Sequence, residues 1–178
     1  MSFRLFASGY VPQANPRKLA ALGVGLLLAA GCGGGGGQPE RLIGGTGYRF
    51  AAPAGWSVQR MEREVQVSAG LAIVSVTRYP LLRAFRPALW DHVVPELDRA
   101  AAGVARQQNG KVGKSRDVTV SGRRARSYDI DYDRQGKALV ERLTFVLRGK
   151  TEYLLLCRYE RGGDTRACDR LLATFRLG

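Results

Sequence analysis

Residues 87–108 read PALWDHVVPELDRAAAGVARQQ, and the period of this stretch decides the fold. Trp90, Val93, Val94, Leu97, Ala101, Val104 and Ala105 recur at three- and four-residue spacing, with Asp91, Asp98, Arg99 and Arg106 off that line. This spacing draws one apolar stripe along a helix. Pro87 suits the first helical turn, and Asn109-Gly110 ends the helix. Pro95 lies inside, which predicts a kink or two consecutive helices.

On both sides of this helix the period is two. Upstream, Tyr48-Arg49-Phe50 reads as a strand closed by Pro53-Ala54-Gly55 and followed by Trp56. Glu64–Ser68 alternates through Val65 and Val67, and Leu71–Thr77 is a dense apolar run of a more central strand. Downstream, strands over 117–120, 124–133, 139–147 and 153–159 are punctuated by Ser121-Gly122, Gln135-Gly136 and Gly149-Lys150. These are consecutive hairpin signals, so the sheet is mainly antiparallel. Cys168, Leu171, Leu172 and Phe175 then line one side of a short closing helix. The predicted order is βββαββββα, an α+β chain with its sheet packed between helices.

The amino-terminal residues follow a different logic. Arg4, Arg17 and Lys18 come without an acid, and 19–30 then runs apolar to Gly31-Cys32 and a row of glycines, 33–37. Twelve uncharged residues are too few to span a bilayer, which takes about 20, and they suit the core of an export signal. The stretch resembles the lipobox of bacterial lipoproteins, with Ala29, Ala30 and Gly31 before the cut and Cys32 as the residue that carries the lipid. Ala29 departs from the leucine usual there, and Leu28 sits one place early. The resemblance implies a signal peptide over 1–31, a diacylglyceryl and palmitate anchor on Cys32, and a location on the extracytoplasmic face of a cell membrane. Residues 32–47 read as a glycine-rich tether, and 48–178 as the folded domain.

The chain carries 28 Lys and Arg against 15 Asp and Glu, and loss of residues 1–31 lowers the balance from +13 to +10. Nucleic acid is the reflex partner of such a charge, but export points instead to an anionic surface or an envelope protein. Of the three cysteines, Cys157 and Cys168 are left once Cys32 is lipidated. An exported chain meets an oxidising setting, and the pair is too widely spaced for a CxxC redox motif, so a disulfide is expected. Two buried free thiols are the alternative.

The element order and two motifs, Tyr48-Arg49-Phe50 with Pro53-Ala54-Gly55-Trp56 and the closing 168–175 (CDRLLATF), resemble the PsbP-like family. That family includes photosystem accessory proteins and small bacterial lipoproteins of the LpqN kind. The resemblance implies an α/β/α sandwich, partner binding, no catalysis and no cofactor.

The residues themselves offer little chemistry. Asp129, Asp131 and Asp133 stand two apart on one strand face, but Arg134 replaces the glycine of a calcium loop and Val140 its closing glutamate. Pairing of Asp129 with Arg142 across the ladder accounts for the row without a metal. Glu141 has Arg158 as its expected cross-strand neighbour. His92 is the single histidine and has no nucleophile motif beside it. Residues 78–86 differ in kind, because Arg78, Arg83 and Arg86 alternate with Leu81, Leu82 and Phe85 between two prolines. Read as a loop, this stretch suits a membrane interface or a protein partner, or it closes the core beneath the helix. The expected function is therefore a lipid-anchored, non-catalytic binding or assembly-accessory protein. The alternative is a carrier of a small molecule or lipid, with a cavity between sheet and helix.

Overall fold

The computed structural model describes residues 39–178. Cys32, the leader and the glycine run 33–37 lie outside the described residues. The elements run β1 (Glu40–Gly45), β2 (Tyr48–Pro53), β3 (Ser57–Arg60), β4 (Glu64–Ala69), β5 (Ala72–Phe85), α1 (Trp90–Gln107), β6 (Lys111–Val120), β7 (Arg123–Arg134), β8 (Lys137–Glu160), α2 (Arg166–Thr174) and β9 (Arg176–Leu177). All pairings are antiparallel.

The central sheet has the order β3-β4-β5-β8-β7-β6, and β8 occupies two places in it. A straight strand of 24 residues would span about 75 Å, yet Lys137 Nζ lies 3.0 Å from Glu160 Oε1 and the Arg161 amide donates to the Ala138 carbonyl. The run therefore folds back at Gly149, whose φ is 54°. Its first arm pairs with β7 and its second with β5. The hairpin expected at Gly149-Lys150 is present. Ser121-Gly122 and Gln135-Gly136 also make their turns, all four residues at positive φ, the geometry of the tight hairpin turns that match strand twist.

α1 covers one face of this sheet. Val93, Leu97, Ala101 and Val104 pack on Tyr128, Ile130, Leu139, Leu143 and Phe145. The opposite face is closed by a second sheet, β1-β2-β9, together with α2. Phe50 and Phe175 are fully buried there against Val74, Val76 and Leu155. The sandwich thus has a helix on one side and a layer of mixed sheet and helix on the other, where a purely helical layer was expected.

Four further expectations need correction. The tether does not reach Gly47, because Glu40–Gly45 pairs with β2 and buries Ile43; ladder bonds and one core side chain outweigh the flexibility of the glycines. β3 was not foreseen, since Val58 is its one apolar residue. The 78–86 stretch is not a loop, because β5 runs to Phe85. Of the two outcomes expected at Pro95, two consecutive helices do not form: α1 passes through it as one piece after a 3-10 turn at Pro87–Leu89. Pro95 and Asp91 are both exposed, so the carbonyl that loses its N–H partner lies on the solvent side of α1. Asn109 at φ 53° ends α1, with the Gly110 amide on the Ala105 carbonyl and the Asn109 amide on that of Arg106, a Schellman closure.

Candidate functional site

The register sorts the turns into two poles. One holds the β1–β2 turn at Thr46-Gly47, the end of β5, the turns at 121–122 and 148–150, and the carboxy terminus. The Gly178 amide bonds the Gly47 carbonyl there, and Arg148 donates to the Gly178 carbonyl. The other pole holds Glu40, Pro53, Gly70, Glu160 and the start of α2, which line one groove.

At the first pole β5 slips out of register. Pro80 pairs with Thr151 and Phe85 with Gly149, so residues 81–84 bulge beyond the ladder. Bulges re-aim side chains and end pairing. Here the bulge separates the six residues that the sequence groups together. Leu81 turns inward and is 5% exposed, while Leu82 turns outward and is 77% exposed. Phe85 is half-buried, edge-on to Trp90 at 6.3 Å between centroids. Arg83 and Arg86 are exposed with Leu82. Arg78 belongs elsewhere: alternation along β5 puts it on the face of Val74 and Val76, where it lines a hollow with Tyr48, Arg60 and Glu64.

Tertiary structure adds cations to this pole that linear order does not group. Arg123 and Arg148 flank two different hairpin turns, Lys150 sits at the β8 tip, and all three are exposed. Arg124 lies 4.9 Å over the Trp90 ring and pairs with Asp117 at 2.6 Å. Among the described residues Arg86, Arg123 and Lys150 have no acidic partner within ion-pair distance. Beside Leu82 the surface dips into an apolar cleft of about 30 Å³ lined by Leu81, Phe85, Leu89, His92, Val93 and Leu147.

At the opposite pole the groove is larger, about 540 Å³, with Trp56 and Pro53 on one wall and Cys157, Ala167 and Cys168 on the other. Cys157 and Cys168 form a disulfide with Cα atoms 5.4 Å apart, tying the second arm of β8 to α2. The groove's arginines are engaged: Arg166 with Asp164 at 2.7 Å, and Arg170 with Glu40 at 2.7 Å.

Three of the carboxylates singled out in the sequence, Asp129, Asp131 and Glu141, are held by arginine, while Asp133 is exposed. Asp129 pairs with Arg142 in register, with Nε 2.7 Å from Oδ1, and Arg116 joins at 3.3 Å. Burial alone would raise the Asp129 carboxyl, but hydrogen bonds and charge from Arg142, then Arg116, hold it below the usual range. Asp131 pairs with Arg161 at 3.3 Å, and Glu141 with Arg158 at 2.7 Å. His92 is exposed on α1. Among the described residues no cluster of three His, Cys, Asp or Glu is placed to hold a metal.

One ionisable group escaped the sequence reading. Glu152 stands opposite Tyr79 on the α1 face of the sheet, 1% exposed, and neither carboxylate oxygen has a hydrogen-bond partner. Burial pushes it up from 4.5 to about 8. Nothing short of the register places this residue opposite Tyr79, on the strand face that it shares with Leu154 and Leu156.

No family model and no curated protein matches the chain. Its fold does have solved counterparts. A Bacteroides thetaiotaomicron protein superposes with a TM-score of 0.55 at 11% identity over 79% of this chain, which spans 48% of the length of that protein. LpqN of Mycobacterium tuberculosis, described as involved in cell envelope biogenesis, gives 0.51 at 11% identity over 78% of this chain and 90% of its own. Cyanobacterial PsbP from Synechocystis sp. PCC 6803 gives 0.55 at 17% identity, covering 84% of this chain and 98% of its own. At such identities the likeness concerns architecture: residues 39–178 have the PsbP-like fold.

Proposed function

We propose that this chain is a lipid-anchored, extracytoplasmic binding or assembly-accessory domain that performs no catalysis of its own. The observation that carries this reading is the bulge at residues 81–84, which presents Leu82 to solvent among cations while its neighbour Leu81 is buried. A lone exposed leucine is ordinary. One lifted out of a sheet ladder, beside an apolar cleft and arginines, has the composition of an interface. Asp129, Asp131 and Glu141 are each paired with arginine, and Glu152 is sealed from solvent. The lipobox at 29–32 supplies the anchor, and the envelope role described for LpqN agrees with that address.

The test is fractionation of the full-length chain made in a bacterial host. Cys32→Ser is expected to move the protein from the membrane to the soluble fraction without changing its fold. Retention of the variant on the membrane overturns the anchor.

The groove of about 540 Å³ beside the disulfide favours a second reading, a carrier of a small amphiphile. Native mass spectrometry of freshly purified protein distinguishes the two, because a carrier retains a bound mass and a docking domain does not.

A further inference from the structure

The chain's entry at Glu40 and the Leu82 pole lie at opposite ends of the domain. The chain enters the fold at Glu40, in the groove it shares with Gly70 and Ala72, and β1 then runs toward the other pole. From there to the bulge the sheet extends along the β8 arm 149–158, about 30 Å at the usual rise. Seven residues lie between Cys32 and Glu40, which makes eight Cα–Cα steps. Whatever their conformation they span at most about 28 Å, and a flexible chain of that length averages about 16 Å.

Resting on the lipid-anchor reading, we infer that the Leu82 pole faces away from the anchoring membrane and docks an acidic protein segment that carries an apolar anchor residue. An end-on contact of this pole with its own bilayer would need the tether drawn close to its full length, well beyond the about 16 Å that a flexible chain of that length averages. The pole therefore projects outward, beyond the few Debye lengths over which headgroup charge acts.

The pole's surface chemistry selects the same class of partner. Arg86, Arg123 and Lys150 are exposed cations without acidic partners among the described residues, so they offer complementarity to carboxylates. Leu82 stands beside a cleft of about 30 Å³ with Leu81, Phe85, Leu89, Val93 and Leu147 in its lining and Arg83 at its wall. A cleft of that size admits the end of one apolar side chain, the usual form of a central anchor in a protein interface. A polyanionic polymer would use the cations and leave both Leu82 and the cleft idle.

Two measurements on the full-length, lipidated protein in phosphatidylglycerol vesicles test this. A fluorescent residue is placed at position 82 or at position 137, and quenching by headgroup-labelled lipid is compared. Position 137 is expected to be quenched several-fold more than position 82. The reverse order with the protein still anchored overturns this inference alone, whereas loss of vesicle attachment overturns the anchor reading. The second measurement titrates a Glu-rich peptide bearing one leucine, the same peptide with serine in that place, and polyphosphate. The leucine peptide is expected to bind in a salt-sensitive way, about fivefold or more tighter than the serine peptide. Its binding should fall about tenfold with Arg86→Ser, Arg123→Ser and Lys150→Ser combined, and to a lesser extent with Leu82→Ser, at unchanged melting temperature. Equal binding of both peptides, indifference to Leu82→Ser, preference for polyphosphate, or no binding at all each overturns the proposed partner.

Discussion

Arg158 donates from Nη2 and Nε to the same carboxylate oxygen of Glu141, at 2.7 and 3.0 Å, and so clamps the two arms of β8 together where water does not reach. Glu141 is 0% exposed and Arg158 6%. Tyr132 donates its hydroxyl to that oxygen as well, at 3.2 Å, while the other oxygen of Glu141 has no hydrogen-bond partner. Buried pairs of this kind are costly to break and cheap to replace whole. Arg158→Met is expected to destabilise the domain by about 3–5 kcal/mol, because it strands a buried carboxylate. The double substitution Glu141→Leu with Arg158→Met should recover most of that loss. Urea denaturation of the three proteins measures the difference, and a double variant as unstable as the single one would refute the account.

Glu152 predicts the pH dependence. Its carboxyl is raised to about 8 in the folded chain by burial. Below pH 4 both states are protonated and nothing is lost. As pH rises from the ordinary carboxylate range toward 8, the unfolded chain ionises while the folded one keeps its proton. Stability therefore declines by up to about 1.4 kcal/mol per pH unit across that window and levels off above it. Glu152→Gln should remove this slope, so its melting temperature relative to wild type should climb between pH 5 and pH 8. Parallel curves for the two proteins would show that Glu152 ionises normally.

The Cys157–Cys168 bridge closes a short loop, with a sequence separation of 11. Constraint of the unfolded chain by such a loop amounts to about 3 kcal/mol. Cys157→Ala with Cys168→Ala is expected to lower stability by about that amount while the fold persists, since both positions stay within the apolar layer beneath α2. Alkylation of the unreduced, denatured domain should label neither cysteine.

Leu81 and Leu82 are adjacent and chemically identical, but the bulge gives them opposite fates. Leu81→Ala empties a core position and is expected to cost about 2–4 kcal/mol. Leu82→Ala should stay within about 0.5 kcal/mol of wild type. Comparable losses at both positions would mean that the whole stretch serves only to close the core.

Much of the fold was legible because it is local. The stripe from Trp90 to Ala105 needs only the helical period, and all of it except Val94 is buried. The three hairpin turns need only residues that tolerate positive φ. Once those turns are set, register follows by counting, which is why Asp129 meets Arg142 and Glu141 meets Arg158 as expected. The strands that escaped notice, β1, β3 and β9, are short or poor in apolar residues. β1 and β3 pair with the next strand along the chain, whereas β9 is held by β2, far away in sequence.

What the sequence by itself determined, then, is the succession of the main elements, the in-register pairing within the later hairpins and the pair of cysteines that bridge, since each depends on period, turn chemistry or near neighbours. The poles were decided only by tertiary structure. Arg123, Arg148 and Lys150 join Leu82 and Arg86 because separate hairpins end side by side, and Glu40 lies at the opposite end because β1 enters the second sheet from there. The same is true of Glu152 and Leu81, whose burial comes from a register slip in β5 and from layers packed over it. Alternation assigns a side chain to one of two faces. Which face is covered, and which end of a strand meets solvent, depends on contacts between residues distant in the chain, and no local period encodes them.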